Sequence, residues 1–104
     1  MTETTIKPTT RPMVRVEMTS HLYRFFPGLK GREIIVPGQS VAEVLAAVNE
    51  LAPGFTDYVL DERGAVRRHV LISVNDTMLV DRKTLSDRVP EGGTVYVFQA
   101  LTGG

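Results

Sequence analysis

Only one stretch of this chain repeats its apolar residues at the period of an α-helix over several turns, and that scarcity limits the fold more than any other feature. In SVAEVLAAVNELAPG, residues 40–54, the side chains of Val41, Val44, Leu45, Val48, Leu51 and Ala52 fall on one helical face, and Glu43 and Glu50 lie opposite. Ser40 followed three residues later by Glu43 forms a capping box, in which each side chain satisfies a backbone donor of the first turn. Pro53-Gly54 ends the helix. The remaining apolar segments alternate at period two, the pattern of half-buried strands. One helix covers one face of a sheet, so the other face is left open.

The strands are read as follows. MVRVEM at 13–18 alternates Val14, Val16 and Met18 with Arg15 and Glu17, and REIIVP at 32–37 is a second strand ended by Pro37-Gly38. HVLISVN at 69–75 puts Val70, Ile72 and Val74 on one face and Leu71 and Ser73 on the other. Asn75-Asp76 then supplies turn residues, TMLV makes a short return strand, and TVYVFQAL is the last strand. FTDYVLDERGAVRR, after the helix, is expected to be an irregular connection with one helical turn near Tyr58. The expected order is strand, strand, helix, strand, short strand, strand: an α+β domain with a mixed sheet of four to five strands and one main helix packed on one face. That helix should lie on Val14, Val16, Val70, Ile72, Val95 and Val97, which leaves Tyr96, Phe98 and Ala100 on the open side. Such an apolar group invites docking.

At 104 residues the chain holds one domain with one core. Residues 1–12, MTETTIKPTTRP, show no apolar period and are expected to be a flexible N-terminal tail. The domain is expected to span 13–102, followed by a mobile Gly103-Gly104. The absence of cysteine excludes disulfides, thiolate metal sites and a cysteine nucleophile. Twelve basic side chains balance twelve acidic ones, so no strong field points to nucleic acid or an anionic membrane. No leader or spanning segment is recognisable, and a cytoplasmic location is the expectation.

Other candidate groups carry weaker signals. His21 and His69 are the only histidines, and without cysteine they do not suggest a metal site. His69 fits the outer face of its strand. Asp61-Glu62 and Arg67-Arg68 flank Gly64 in the long connection, where a solvated loop and a contact between the arginines and an acidic partner are both open readings. Gly92-Gly93 precedes no helix and reads as a turn rather than a phosphate loop. Ser73 and Asp76 lack an arranged base and give no hydrolase signal.

The sequence ends QALTGG, an apolar strand running into two glycines. Glycine lacks a Cβ and lets another surface approach the backbone closely, so a glycine pair with a free carboxylate can thread a narrow channel. In the order of its elements, in SVAEVLAAVNELAP as the single helix, in ISVNDTMLV as a Val-Asn hairpin and in VPEGGTVYVFQALTGG as the ending, the chain resembles the β-grasp sulfur carriers. That family includes the small subunit of molybdopterin synthase and the thiamine sulfur carrier protein, relatives of ubiquitin. The resemblance covers residues 13–104. The longer connection, with VRRHVLISVND, is more similar to the branch that feeds sulfur into cysteine or homocysteine synthesis. The N-terminal extension, and Leu101-Thr102 before the glycines, depart from the family pattern.

The resemblance implies a protein that is not itself an enzyme. An E1-like adenylating partner, using ATP and Mg²⁺, would convert the Gly104 carboxylate to an acyl-adenylate, and a sulfur donor would displace AMP to leave a thiocarboxylate. A sulfur-accepting synthase would then take the sulfur into a cofactor or metabolite. Gly103 would let the tail enter the channel, Gly104 would carry the reactive carbonyl, and Thr102 would mark the passage from strand to tail. Met78 and Phe98 match the family's apolar docking patch, and Tyr96 joins them by strand period. No side chain is expected to be catalytic, no metal or permanently bound cofactor is expected, and neither nucleic acid nor membrane is an expected partner. Two alternatives use the same fold: a ubiquitin-like modifier joined through Gly104 to lysines, and a β-grasp interaction domain that binds without covalent chemistry.

Overall fold

A computed structural model of the chain describes residues 13–99. β1 (Met13–Met18) is followed by α1 (Ser20–Phe25), a single 3-10 turn at Pro27–Leu29, β2 (Ile34–Pro37), α2 (Val41–Leu51) and α3 (Phe55–Val59). β3 (Val70–Val74), β4 (Thr77–Met78) and β5 (Thr94–Gln99) complete the order. The five strands form one sheet in the order β2-β1-β5-β3-β4. β5 lies at its centre, parallel to β1 and antiparallel to β3. The expected α+β architecture with a mixed sheet is present.

The helix that covers the sheet begins where the capping box places it. Ser40 Oγ accepts from the Glu43 N–H at 3.3 Å, and Glu43 Oε1 accepts at 2.9 Å from the N–H of Gln39, one residue before the cap, rather than from Ser40 itself. The N–H groups of Val41 and Ala42 donate to the carbonyls of Asp87 and Leu85, so the 81–89 loop finishes the cap. That loop is organised around the Asp81 carboxylate, which accepts from the Ser86 and Thr84 hydroxyls and from the backbone N–H groups of Lys83, Thr84 and Ser86. Those bonds hold the Asp81 pKa well below the usual carboxylate range, the Ser86 and Thr84 hydroxyls contributing most.

Under α2 the expected face is fully buried: Val14, Val16, Val70, Ile72, Val95 and Val97 join Val41, Val44, Leu45 and Val48 in one core. The helix approaches β2 so closely at its start that a Cβ on Gly38 would stand 2.7 Å from Val44 Cγ2. Asn75 sits at the β3–β4 turn with φ +53. It ties that turn to the start of β5: its N–H donates to the Thr94 carbonyl and its Oδ1 accepts from the Thr94 N–H. Gly92-Gly93 is a turn, as read; it leads into β5 and is held against β1, the Gly92 N–H donating to the Met13 carbonyl and the Arg15 N–H to that of Gly93.

Three local expectations are corrected. Leu51, assigned to the buried helical face, is exposed, because α2 ends there and Ala52 leaves helical geometry with φ −139. Ser73, though on the open face, is buried between Met78 on one side and Tyr96 on the other. The segment between β1 and β2 contains α1 and the 3-10 turn, which the sequence reading left without an element. Leu22 and Leu29 anchor them in the core, and Phe26 packs edge-on against Phe55. The helical turn expected near Tyr58 is α3.

Candidate functional site

The open face of the sheet is where the side chains opposite the core must emerge, and its apolar part gathers on β3, β4 and β5. Cross-strand register sets Leu71 opposite Phe98, Ser73 opposite Tyr96, and Met78 opposite Ser73. The Leu79 N–H donates to the Ile72 carbonyl, and Val80 follows beyond the end of β4, where its N–H donates to the Asp87 carboxylate. Tyr96 and Phe98 stack with ring planes 3° apart and centroids 6.0 Å apart. Leu71, Met78, Val80 and Phe98 are all exposed large apolar side chains. The patch thus runs Leu71, Phe98 in one row and Met78, Ser73, Tyr96 in the next, with Val80 just past β4. Towards β1 and β2 the face is mixed: Glu17 lies beside Tyr96 and Arg15 is paired to Glu33, with Met13 and Ile35 exposed among them.

The structure therefore brings together Phe98, Met78 and Tyr96, the three residues singled out for docking. It adds Leu71 and Val80, which sequence reasoning did not select. Leu71 was assigned to the open face by period, but its place against Phe98 depends on the β3–β5 register, a long-range quantity. Thr102, Gly103, Gly104 and Ala100 lie outside the described residues, as does the N-terminal segment 1–12.

At the end of β5 the last described residue, Gln99, is held from both sides. Its backbone pairs with Val70, and its Oε1 accepts from the Tyr58 hydroxyl at 3.0 Å. Phe25 of α1 lies against the Tyr58 ring at 4.9 Å between centroids. An open cleft of about 270 Å³ is lined here by Asp57, Tyr58, Arg67, His69, Val70 and Gln99. The place where the chain passes from sheet to tail is thus fixed by β3 on one side and by the aromatic pair Phe25–Tyr58 on another.

The remaining candidates sort out locally. The Asp61 carboxylate accepts from the N–H groups of Ala65 and Arg63, in that order the main reasons its pKa is lowered, and so it belongs to its own turn. His69 is exposed just ahead of β3, and His21 packs edge-on to Phe25. Among the described residues no group of three or more His, Asp or Glu side chains is placed to hold a metal ion, and no helix is long and apolar enough to cross a membrane.

No protein-family model matches the chain, and no curated protein sequence matches it. Solved structures do. CysO of Amycolatopsis orientalis, in its complex with BexX, superposes with a TM-score of 0.74 at 23% identity over 88% of this chain and 99% of that one. CysO of Mycobacterium tuberculosis gives 0.72 at 22% over 85% and 99%, and SAMP1 of Haloferax volcanii, a small archaeal modifier protein, gives 0.71 at 17% over 88% and 99%. These neighbours are β-grasp proteins of the sulfur-carrier and ubiquitin-like type. At such identities the likeness establishes the fold, and this chain has the β-grasp fold.

Proposed function

We propose that the chain is a sulfur carrier. In this reading an ATP-dependent E1-like enzyme binds the open face and receives the tail. The Gly104 carboxylate oxygen attacks the α-phosphorus of ATP, and pyrophosphate leaves. A sulfide-level donor then attacks the acyl carbon of the mixed anhydride, the bond from that carbon to the phosphate oxygen breaks, and AMP departs to leave a thiocarboxylate. The partner supplies Mg²⁺ and the electrostatic stabilisation of the phosphoryl step. The carrier supplies an unobstructed terminal glycine and a surface that presents it, and a sulfur-accepting synthase consumes the product.

The observation that carries this reading is the position of the apolar patch: Leu71 and Phe98 face each other next to the end of the central strand that leads to Gly103-Gly104, and Met78 extends the patch onto β4. A patch beside the tail root lets one partner grip the domain and take the terminus at once. A second reading, a protein modifier joined through Gly104 to lysine, is favoured by the likeness to SAMP1, a small archaeal modifier protein. Intact mass and C-terminal fragmentation of protein isolated from its native host, tagged at the N-terminus, separate the two. Oxygen replaced by sulfur at Gly104 is the expected result. Gly104 found linked to lysine, with no thiocarboxylate in freshly prepared protein, overturns the carrier in favour of the modifier.

A further inference from the structure

The tail root has a second flank that the apolar patch does not explain. Arg67, Arg68 and His69 are consecutive and exposed, and they lead directly into Val70, the residue paired with Gln99. The backbone beneath them is pinned. The Arg67 N–H donates to the Val59 carbonyl at 3.0 Å and the Val70 N–H to that of Arg67 at 3.0 Å. The Arg82 guanidinium donates to the carbonyls of both Arg67 and Val70, at 2.8 and 2.9 Å. The Arg67 and Arg68 guanidinium groups are therefore presented from a fixed turn, which lowers the ordering entropy that a partner must offset.

Neither Arg67 nor Arg68 is in a side-chain ion pair among the described residues, although Asp57 and Asp61 line the clefts beside them. Among the described residues the one side-chain ion pair is Arg15–Glu33, at the far side of the sheet. Of the two acidic side chains that precede Arg67 in the connection, Glu62 is exposed, and the Asp61 carboxylate accepts from the Ala65 and Arg63 N–H groups of its own loop. Arg67 donates only to the backbone carbonyl of Asp57, at 3.1 Å. Clefts of about 270 and 300 Å³ lie on either side, both lined by Arg67 and His69.

We propose that the Arg67–Arg68–His69 edge is the polar half of a two-part docking surface and takes an acidic segment at the mouth of the channel that receives the tail. The proposal rests on the adenylation of Gly104. Reach decides between a protein carboxylate and the nucleotide as occupant. Five residues separate Gln99 from Gly104, and an extended chain rises at most about 3.3–3.6 Å per residue. With the tail extended in its channel, the reacting phosphate sits some 17 Å beyond this edge, and what faces the edge is the partner's rim. The neutral whole-chain balance gives no long-range field to orient docking, so the local edge fixes orientation: apolar contact on one flank of β5, acidic contact on the other.

The test uses the full chain and the E1-like enzyme of its own organism, with ATP–pyrophosphate exchange followed at several salt concentrations. Arg68→Glu, which removes no hydrogen bond among the described residues, and the double variant with Arg67→Glu should raise KM for the carrier roughly tenfold with kcat unchanged. Both should flatten the salt dependence of kcat/KM, as expected for a rim charge. Arg68→Lys should restore both. Arg32→Glu makes the same charge change beside β2, at the far edge of the sheet, and should leave KM within about twofold. Unchanged KM in the double variant, or an equal rise with Arg32→Glu, overturns the proposal. A wild-type chain that supports no exchange overturns the adenylation reading itself, and the acidic-rim proposal with it.

Discussion

Leu71 and Ile72 are adjacent in β3, differ in composition by nothing, and face opposite sides of the sheet. Leu71 is 41% exposed beside Phe98, whereas Ile72 is fully buried under α2. Replacing either with alanine removes about three methyl or methylene groups, each worth about 0.8 kcal/mol when fully buried. For Leu71 only a little over half of that applies, and the denatured chain already hides about 10–40% of such surface, which leaves about 1 kcal/mol. Ile72→Ala adds the cavity that close-packed neighbours cannot fill, for about 2–5 kcal/mol. Thermal midpoints should fall by about 4–8 °C for Leu71→Ala and by at least twice that for Ile72→Ala. The chain has no tryptophan, so far-UV circular dichroism is the probe for thermal and urea unfolding. In the exchange assay the order reverses. Leu71→Ala should raise KM about tenfold, or about 1.4 kcal/mol of docking energy, while folded Ile72→Ala should change it little. Equal losses of stability would show that the Leu71 face is covered in solution. An unchanged KM for Leu71→Ala would remove the patch from the docking surface.

Gly38→Ala places a Cβ 2.7 Å from Val44 Cγ2 and 3.0 Å from the Val44 backbone nitrogen. Because the second contact is backbone and α2 must shift, a loss of about 1–3 kcal/mol is expected in urea unfolding, and a neutral result would contradict the close approach of α2 to β2. Ser40→Ala removes the acceptor for the Glu43 N–H and should lose about 1 kcal/mol; a change near zero would mean that the 81–89 loop alone caps the helix. The Asp81 pKa lies below its unfolded value, so its contribution to stability is fully present above the ordinary carboxylate pKa and is lost as pH falls below that range toward the folded value. Asp81→Asn should therefore lower the urea midpoint at pH 6 and remove part of the acid dependence below pH 4; parallel pH profiles for the two proteins would exclude Asp81 as a source of that dependence.

The sequence announced those parts of the fold whose signals are local and repeated. α2 carries its period over three turns and its own cap, and the strands alternate strictly enough that all six residues expected beneath the helix are buried. α1 was invisible because SHLYRF is six residues long with one buried side chain, Leu22, too short to display a period. Its stability is tertiary, through Phe25 and Phe26 on Tyr58 and Phe55. The candidate site divides in the same way. Tyr96 and Phe98 could be assigned to the open face by counting in twos, whereas Met78 entered through the family resemblance. The joining of Leu71 to Phe98 and of Tyr58 to Gln99 depends on the register and the path of distant segments, and no local pattern encodes either.

The central place of β5 has a consequence for how reactivity and stability are divided in the molecule. A strand at the edge of a sheet can be peeled from one neighbour, whereas β5 is paired with β1 as far as Val97 and with β3 from Val95 to Gln99. The last residue of the described core is Val97, two before the tail root at Gln99. With Gly104 as the proposed reacting group, the reaction falls outside the described core. Deleting Gly103-Gly104 should accordingly leave the thermal midpoint within about 2 °C, equivalent to a surface change under about 0.5 kcal/mol, while abolishing pyrophosphate exchange. Competition between the truncated and intact chains sharpens the point: with the patch and the basic edge unaltered, the truncated chain should still inhibit adenylation of the intact one. A truncated chain that is folded but does not compete would place the docking energy in the tail instead of on the two flanks of β5.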